Sequence, residues 1–279
     1  MKKLIKSIAI ALSLVVVGGI IFAIGGGIII KNNGGLGMAK YESKTITVEE
    51  EFKDLSIDLT TYDVTFRKSE DGKVKIDYLE GKKNTCDVKI VDSVLKITEI
   101  DDRNFIEKFF SINEKDLVIY LPEKDYNSVD IEITTGDVKF LTNANFLFAN
   151  VKLVTGDVEG SLKVKNDAII KTTTGDIELN DIICKNFSII ATTGDIDLTS
   201  VIASDNLTLK TTTGDVEFAS CDSSNIIITA TTGDVTGSLL TGKLFNVKTT
   251  TGDEIVPPNS EGGMCNVTVT TGDVKIKII

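Results

Sequence analysis

From Val129 onward the chain alternates apolar and polar residues with period two, and the alternation resets at a fixed tripeptide, Thr-Gly-Asp. The motif glycines are Gly136, Gly156, Gly175, Gly194, Gly214, Gly233, Gly252 and Gly272, spaced by 20, 19, 19, 20, 19, 19 and 20 residues. Seven residues before each glycine stand Val129, Ala149, Ala168, Phe187, Leu207, Ile226, Phe245 and Cys265. Five before stand Ile131, Val151, Ile170, Ile189, Leu209, Ile228, Val247 and Val267. Position −3 is smaller or polar, and position −4 between them is mostly polar, which is a strand with one buried face. After the motif the alternation restarts in a new phase, with Val or Ile at +2 in every copy but one, where Glu254 stands. Gly-Asp therefore reads as a corner between two strands that face one core. A unit of 19–20 residues is too short for a crossover helix. The pattern predicts an all-β, parallel β-solenoid of about eight coils, roughly 40 Å tall at ~4.8 Å per coil.

Upstream the same columns recur in degenerate form. Leu55, Ile57 and Leu59 match the inward positions, Thr61-Tyr62-Asp63 replaces Thr-Gly-Asp, and Val64 and Phe66 follow. Residues 54–66 thus read as a divergent first coil. Strand runs near 73–79, 86–91, 94–99 and 116–121 predict an antiparallel meander that caps the open end of the stack. The organisation expected is a membrane anchor over 1–31, a tether over 32–44, first coil and cap over 45–128, and the repeats over 129–279. The sequence runs seven residues past the last motif glycine, so the coil ending at Ile279 is expected to lie exposed. Lys275 and Lys277 would then guard its edge, and that C-terminal coil is a candidate for end-to-end self-association.

Ile8 to Ile30 is a run of 23 residues without charge, long enough as a helix to span a bilayer. A cleaved signal peptide is the competing reading. The length of the run and the lack of a clear small-residue cleavage site favour retention. Lys2, Lys3 and Lys6 precede it, which places the N-terminus in the cytoplasm and the rest outside, as a single-pass cell-membrane protein. Asn32 to Lys40 reads as a short flexible linker.

Beyond residue 30 the chain carries 27 basic and 41 acidic side chains, a net of −14. Such a surface repels nucleic acid, so no nucleic-acid partner is expected. The chain has no histidine, which removes the commonest general base and transition-metal ligand. Cys86, Cys184, Cys221 and Cys265 fit no zinc spacing and occupy different repeat positions, so free thiols are expected.

The chemical signal that remains is the aspartate column: Asp137, Asp157, Asp176, Asp195, Asp215, Asp234, Asp253 and Asp273. Stacked carboxylates repel, so something must offset the charge. One reading is that each accepts a backbone N–H at its own corner, as an Asx-turn. The other is a calcium ladder, which one carboxylate per coil supports weakly. No metal or other cofactor is therefore expected. Threonine fills position −1 in all eight repeats and −2 in seven. Parity would bury the −1 row, leaving no two-threonine face of the ice-binding kind. Coils that vary by one residue leave no room for the projecting loops of β-helix lyases and hydrolases, so catalysis is not expected.

The segment Leu121-Pro122-Glu123-Lys124-Asp125-Tyr126 followed by Thr-(Ser/Thr)-Gly-Asp-(Val/Ile) repeats resembles the bacterial putative-adhesin family of β-strand-repeat proteins, over about residues 45–279. Tyr62 departs from the family's glycine at the first corner. The resemblance implies a cell-envelope role: a non-catalytic adhesin or interaction protein, with membrane contact through residues 8–30 and an unidentified protein or envelope partner. An envelope-stress sensor acting through a membrane partner is the alternative, and a carbohydrate-active β-helix enzyme the weaker one.

Overall fold

The structure is a computed structural model and describes residues 41–103 and 115–279. The anchor, the linker up to Lys40 and their orientation lie outside the described residues. Among the described residues no helix is long and apolar enough to cross a membrane, and every regular element is a strand.

The chain opens with β1 (Glu42–Val48), β2 (Asp54–Thr61) and β3 (Asp63–Lys68), then β4 (Val74–Glu80), β5 (Asn84–Val91), β6 (Val94–Asp101) and β7 (Asp116–Leu121). The repeats supply β8 (Asp125–Thr135), β9 (Val138–Leu141), β10 (Asn145–Thr155), β11 (Val158–Gly160) and β12 (Lys163–Thr174). Next come β13 (Ile177–Thr193), β14 (Ile196–Thr213) and β15 (Val216–Thr232), each a continuous strand from one corner to the next. The chain ends with β16 (Val235–Leu239), β17 (Leu244–Thr251), β18 (Glu254–Ile255), β19 (Met264–Thr271) and β20 (Val274–Ile278). All twenty belong to one sheet.

Strands before the corners pair in parallel, residue for residue. Ile170 faces Ile189, Ile189 faces Leu209, and Leu209 faces Ile228. Strands after the corners do the same, as in Val158, Ile177, Ile196 and Val216. Like side chains therefore pile into columns, and the inward positions −7, −5 and +2 are almost all buried. Aromatic rings stack within the pile, Phe66 on Phe140 at 5.1 Å and Tyr126 on Phe146 at 5.6 Å. The solenoid-like architecture thus follows from a period-two pattern repeated at constant length.

Two expectations about the ends need correction. Residues 67–121 are not purely an antiparallel meander. β6 and β7 run parallel to β2 and β3 and form a further coil outside the first one. Only β5 on β6, and β4 on β7 and β1, pair antiparallel. In space the first coil, β2–β3, lies between β6–β7 and β8–β9.

The far end repeats the same device. β19 pairs with β15 on one side and β17 on the other, and β20 sits between β16 and β18. The C-terminal coil is therefore interior, not exposed, and Lys275 and Lys277 do not guard the outer edge. The outermost coil is β17–β18. Its inward residues Phe245, Val247 and Thr249 are only half-buried, whereas their counterparts in the other repeats are buried. Glu254 breaks the apolar +2 column because its coil ends the pile: among the described residues no level lies beyond it, and its side chain is exposed.

Candidate functional site

The corners form the most regular chemical feature. Gly175 has φ +140°, a conformation that L side chains rarely adopt, and a Cβ placed there would lie 2.0 Å from the carbonyl oxygen of Gly156. Chain passes over chain too closely for any side chain. The ladder also loses its regular acceptor where the backbone turns. The aspartate supplies it: the N–H of Asp157 donates to Oδ1 of Asp137 at 2.9 Å, and that of Asp176 to Oδ1 of Asp157 at 2.7 Å. The series begins at Asp63 and continues through Asp195, Asp215, Asp234 and Asp273 to Asp253, all between 2.7 and 3.0 Å. Each carboxylate from Asp63 to Asp273 in this series thus serves the neighbouring coil, not its own corner as an Asx-turn would; Asp253, in the outermost coil, ends the series. The charge-assisted bond offsets the repulsion along the column. Among the described residues no group of three or more Asp, Glu, Cys or His side chains could hold a metal ion.

Replacing Asp195 by Ala strands the N–H of Asp215 and is expected to cost about 1 kcal/mol. Asp195→Asn keeps an oxygen acceptor while removing charge and is expected to change stability by less than ~0.5 kcal/mol. Urea unfolding of the two variants separates the hydrogen bond from the charge.

Threonines at −2 and −1 are both exposed, as at Thr173 and Thr174 or Thr231 and Thr232, so the expected burial of the −1 row is wrong. The chain is already bending there and the alternation has stopped. Two rows result, but they lie at a bend and not on a flat sheet.

Position −8 carries a second ladder that the sequence reading passed over. The side-chain amide of Asn186 donates to Asp167 at 2.7 Å, Asn206 to Asn186 at 2.7 Å, and Asn225 to Asn206 at 3.4 Å. Three consecutive asparagines in one column were the available signal.

Beside the corner aspartates lies a second acidic row, Glu159, Glu178, Asp197 and Glu217, its neighbours in register. Burial, then the charges of Glu217, Asp195, Glu178 and Asp176, raise the pKa of Asp197 above the usual carboxylate value. A carboxyl raised in the folded state opposes folding once ionised, and the penalty is relieved as pH falls through its folded pKa. Asp197→Asn is therefore expected to raise the melting temperature at pH 7, with a gain that shrinks in high salt and vanishes in acid.

Among the described residues two lysines are buried, Lys115 and Lys243, and the side chain of Glu99 is buried with the first of them. Each lysine sits where the chain leaves spatial order. Lys115 Nζ contacts Oε1 of Glu99 at 2.7 Å and Oδ1 of Asn84 at 2.8 Å, and lies 4.0 Å from the Tyr62 ring centroid. Oε2 of Glu99 accepts the N–H groups of Thr60 and Thr61 at 2.6 and 2.9 Å. This constellation joins the outer coil to the first corner, where Tyr62 stands in place of the corner glycine without its positive φ and is buried. Its hydroxyl donates to the carbonyl of Leu79 at 2.9 Å. Burial raises the Glu99 carboxyl, but Lys115 and Asn84 outweigh it and hold the pKa low. Lys243 bonds Asp222 at 2.5 Å, Thr241 Oγ1 at 2.5 Å and the carbonyl of Gly262 at 2.7 Å. It pins the return segment that carries the chain back from the outermost coil.

All four cysteines are free, as expected, and all four are buried. Burial pushes Cys86 and Cys221 up to about 11, and Cys184 and Cys265 up to about 12, so these thiols are poor nucleophiles. Two shallow hollows open to solvent mark the surface, about 200 Å³ near Phe52 and Lys124 and about 330 Å³ near Ile202 and Lys243.

One open sheet wound in parallel levels, with polar side-chain ladders along its corners, defines a repetitive all-β, solenoid-like domain. The chain belongs to the Toastrack DUF4097 family, whose profile matches residues 52–205 and 202–279. Among solved structures it is similar to a "putative adhesin" from Bacteroides fragilis, 18% identical, covering 85% of this chain and 97% of that one, with a TM-score of 0.42. It is also similar to a "putative lipid binding protein" from Parabacteroides distasonis, 16% identical, covering 85% and 97%, with a TM-score of 0.49. A "putative adhesin" from the same organism is 13% identical with the same coverage and a TM-score of 0.48. No curated protein matches the chain.

Proposed function

We propose that the chain is a non-catalytic, membrane-tethered binding module that presents a rigid acidic solenoid outside the cell, as an adhesin or cell-envelope interaction protein. The observation that carries this reading is the uniformity of the repeats. Coils of 19–20 residues, each cornered by the same Thr-Gly-Asp tripeptide, offer an extended repetitive surface and no projecting catalytic loop. The absence of histidine from the chain and the raised thiols of the four cysteines agree with binding over catalysis. The uncharged run at 8–30, preceded by three lysines, supplies the tether and its orientation.

Protease added to intact cells tests the placement. The account expects digestion of the repeats without lysis, and retention in the membrane fraction that is lost when residues 1–31 are deleted. Protection of the repeats in intact cells, with digestion only after lysis, would remove it.

A further inference from the structure

The outer edge of β17 is the strand edge at the far end of the pile, since its other side is taken by β19. In a parallel sheet alternate residues send their N–H groups to opposite sides. Leu244 donates inward, to the carbonyl of Gly263 at 2.8 Å. Phe245 and Thr249, of opposite parity, donate to side chains of this same chain. The N–H of Phe245 bonds Oδ1 of Asn259 at 2.7 Å, and that of Thr249 bonds Oε1 of Glu254 at 2.8 Å. Both acceptors come from the short segment that follows the outermost corner. That segment also contains Pro257 and Pro258, which have no N–H to offer a partner strand.

We infer that Glu254 and Asn259 are edge-capping residues that stop the far end from pairing with a second copy of this chain. Without them, the half-buried Phe245 and Val247 and the exposed Leu244 and Ile255 sit beside an unsatisfied strand edge. Such an edge is a template for strand addition. The occupant favoured is the β17 of another copy, because an isologous two-fold contact closes on itself and aligns the two edges antiparallel. Apart from the two acceptors, the edge carries one positive charge, Lys248, and antiparallel pairing can offset it from its twin. The inference accounts for the one break in the +2 column: every interior level needs an apolar residue there, whereas the last level needs an acceptor.

The test compares the full-length wild type with full-length Glu254→Val/Asn259→Ala, both purified in the same detergent, by light scattering after size-exclusion chromatography at matched concentration. Expected are a wild-type monomer and a double-variant dimer. Glu254→Gln, which keeps an oxygen acceptor, is expected to remain monomeric. Amide hydrogen exchange at Phe245 and Thr249 is expected to accelerate about tenfold in a monomeric Asn259→Ala or Glu254→Val single variant respectively, a loss of ~1.4 kcal/mol of protection. A double variant that keeps its far-UV spectrum and stays monomeric overturns the inference, as does a wild type that already dimerises. Should the double variant fail to fold, unchanged exchange in the single variants overturns it equally.

Discussion

Gly175→Ala is expected to lose about 2–6 kcal/mol of unfolding free energy, as would alanine at the other corner glycines, which pass equally close to a neighbouring carbonyl. The strained φ contributes about 1–3 kcal/mol, and the overlap with the neighbouring carbonyl forces both coils apart at a further ~1–3 kcal/mol. The clash is with backbone, which cannot swing aside, and the displaced carbonyl belongs to the adjacent corner, so the disturbance spreads along the pile. Gly72→Ala is the control. Gly72 also has positive φ, at +72°, but an added Cβ would meet nothing within 4 Å. It is expected to cost only about 1 kcal/mol. Urea denaturation measures both. Equal losses at the two sites would show that backbone conformation, and not close passage of the coils, fixes the corner glycines.

Lys115→Met is expected to cost about 3–5 kcal/mol at neutral pH, because it leaves the Glu99 carboxylate buried without its cation. The pH dependence identifies the cause. In the wild type the Glu99 pKa lies below its unfolded value, so its contribution is complete above the ordinary carboxylate range and is lost as pH falls through the folded pKa. In the variant, burial acts without the lysine and raises that pKa, so protonation relieves the penalty. The difference between the two proteins should be widest near pH 7 and narrow steadily into acid. A difference that stays constant with pH would mean that lost packing, and not the stranded charge, is responsible. Adding Glu99→Gln to Lys115→Met should recover part of the loss, since the amide still accepts one hydrogen bond without a buried charge.

Both predictions concern places where the repeat pattern meets a constraint outside itself, and those places separate what was legible in the sequence from what was not. The inward columns, the corners and the phase change at Gly-Asp were readable because each repeat faces the same environment, so Ile170, Ile189 and Leu209 carry the same information three times over. The stacking order at the ends was not readable this way. β17 and β19 have equivalent patterns, and period-two alternation is indifferent to which coil lies next to which. The clue was Glu254, an acid in an otherwise apolar column, and it points to the end of the pile only once coil order is in question. Lys115 and Lys243 were likewise unremarkable among thirty basic residues. Burial of a lysine depends on a partner distant in sequence, and Glu99 and Asp222 had no local spacing to announce them. The aspartate column was recognised, but its partner was placed one coil away from where it lies. A side chain beside a turn reaches its own backbone and the neighbouring strand with equal ease, and only register decides between them. The −1 threonines were assigned inward by extending strict alternation one residue into the bend, where strand geometry no longer holds.

The central claim is that the coils pile up by side-chain register and that the last one in sequence is tucked inside the stack. Thr232 pairs with Thr271, and Thr271 with Thr251, so Thr232 and Thr251 are separated by a full level. Cysteines placed at neighbouring positions of adjacent strands lie within disulfide range, whereas positions two levels apart do not. Under mild oxidation, Thr232→Cys/Thr271→Cys should form an intramolecular disulfide and Thr232→Cys/Thr251→Cys should not. Crosslinking of the second pair in place of the first would show that the coils follow chain order and would contradict the account.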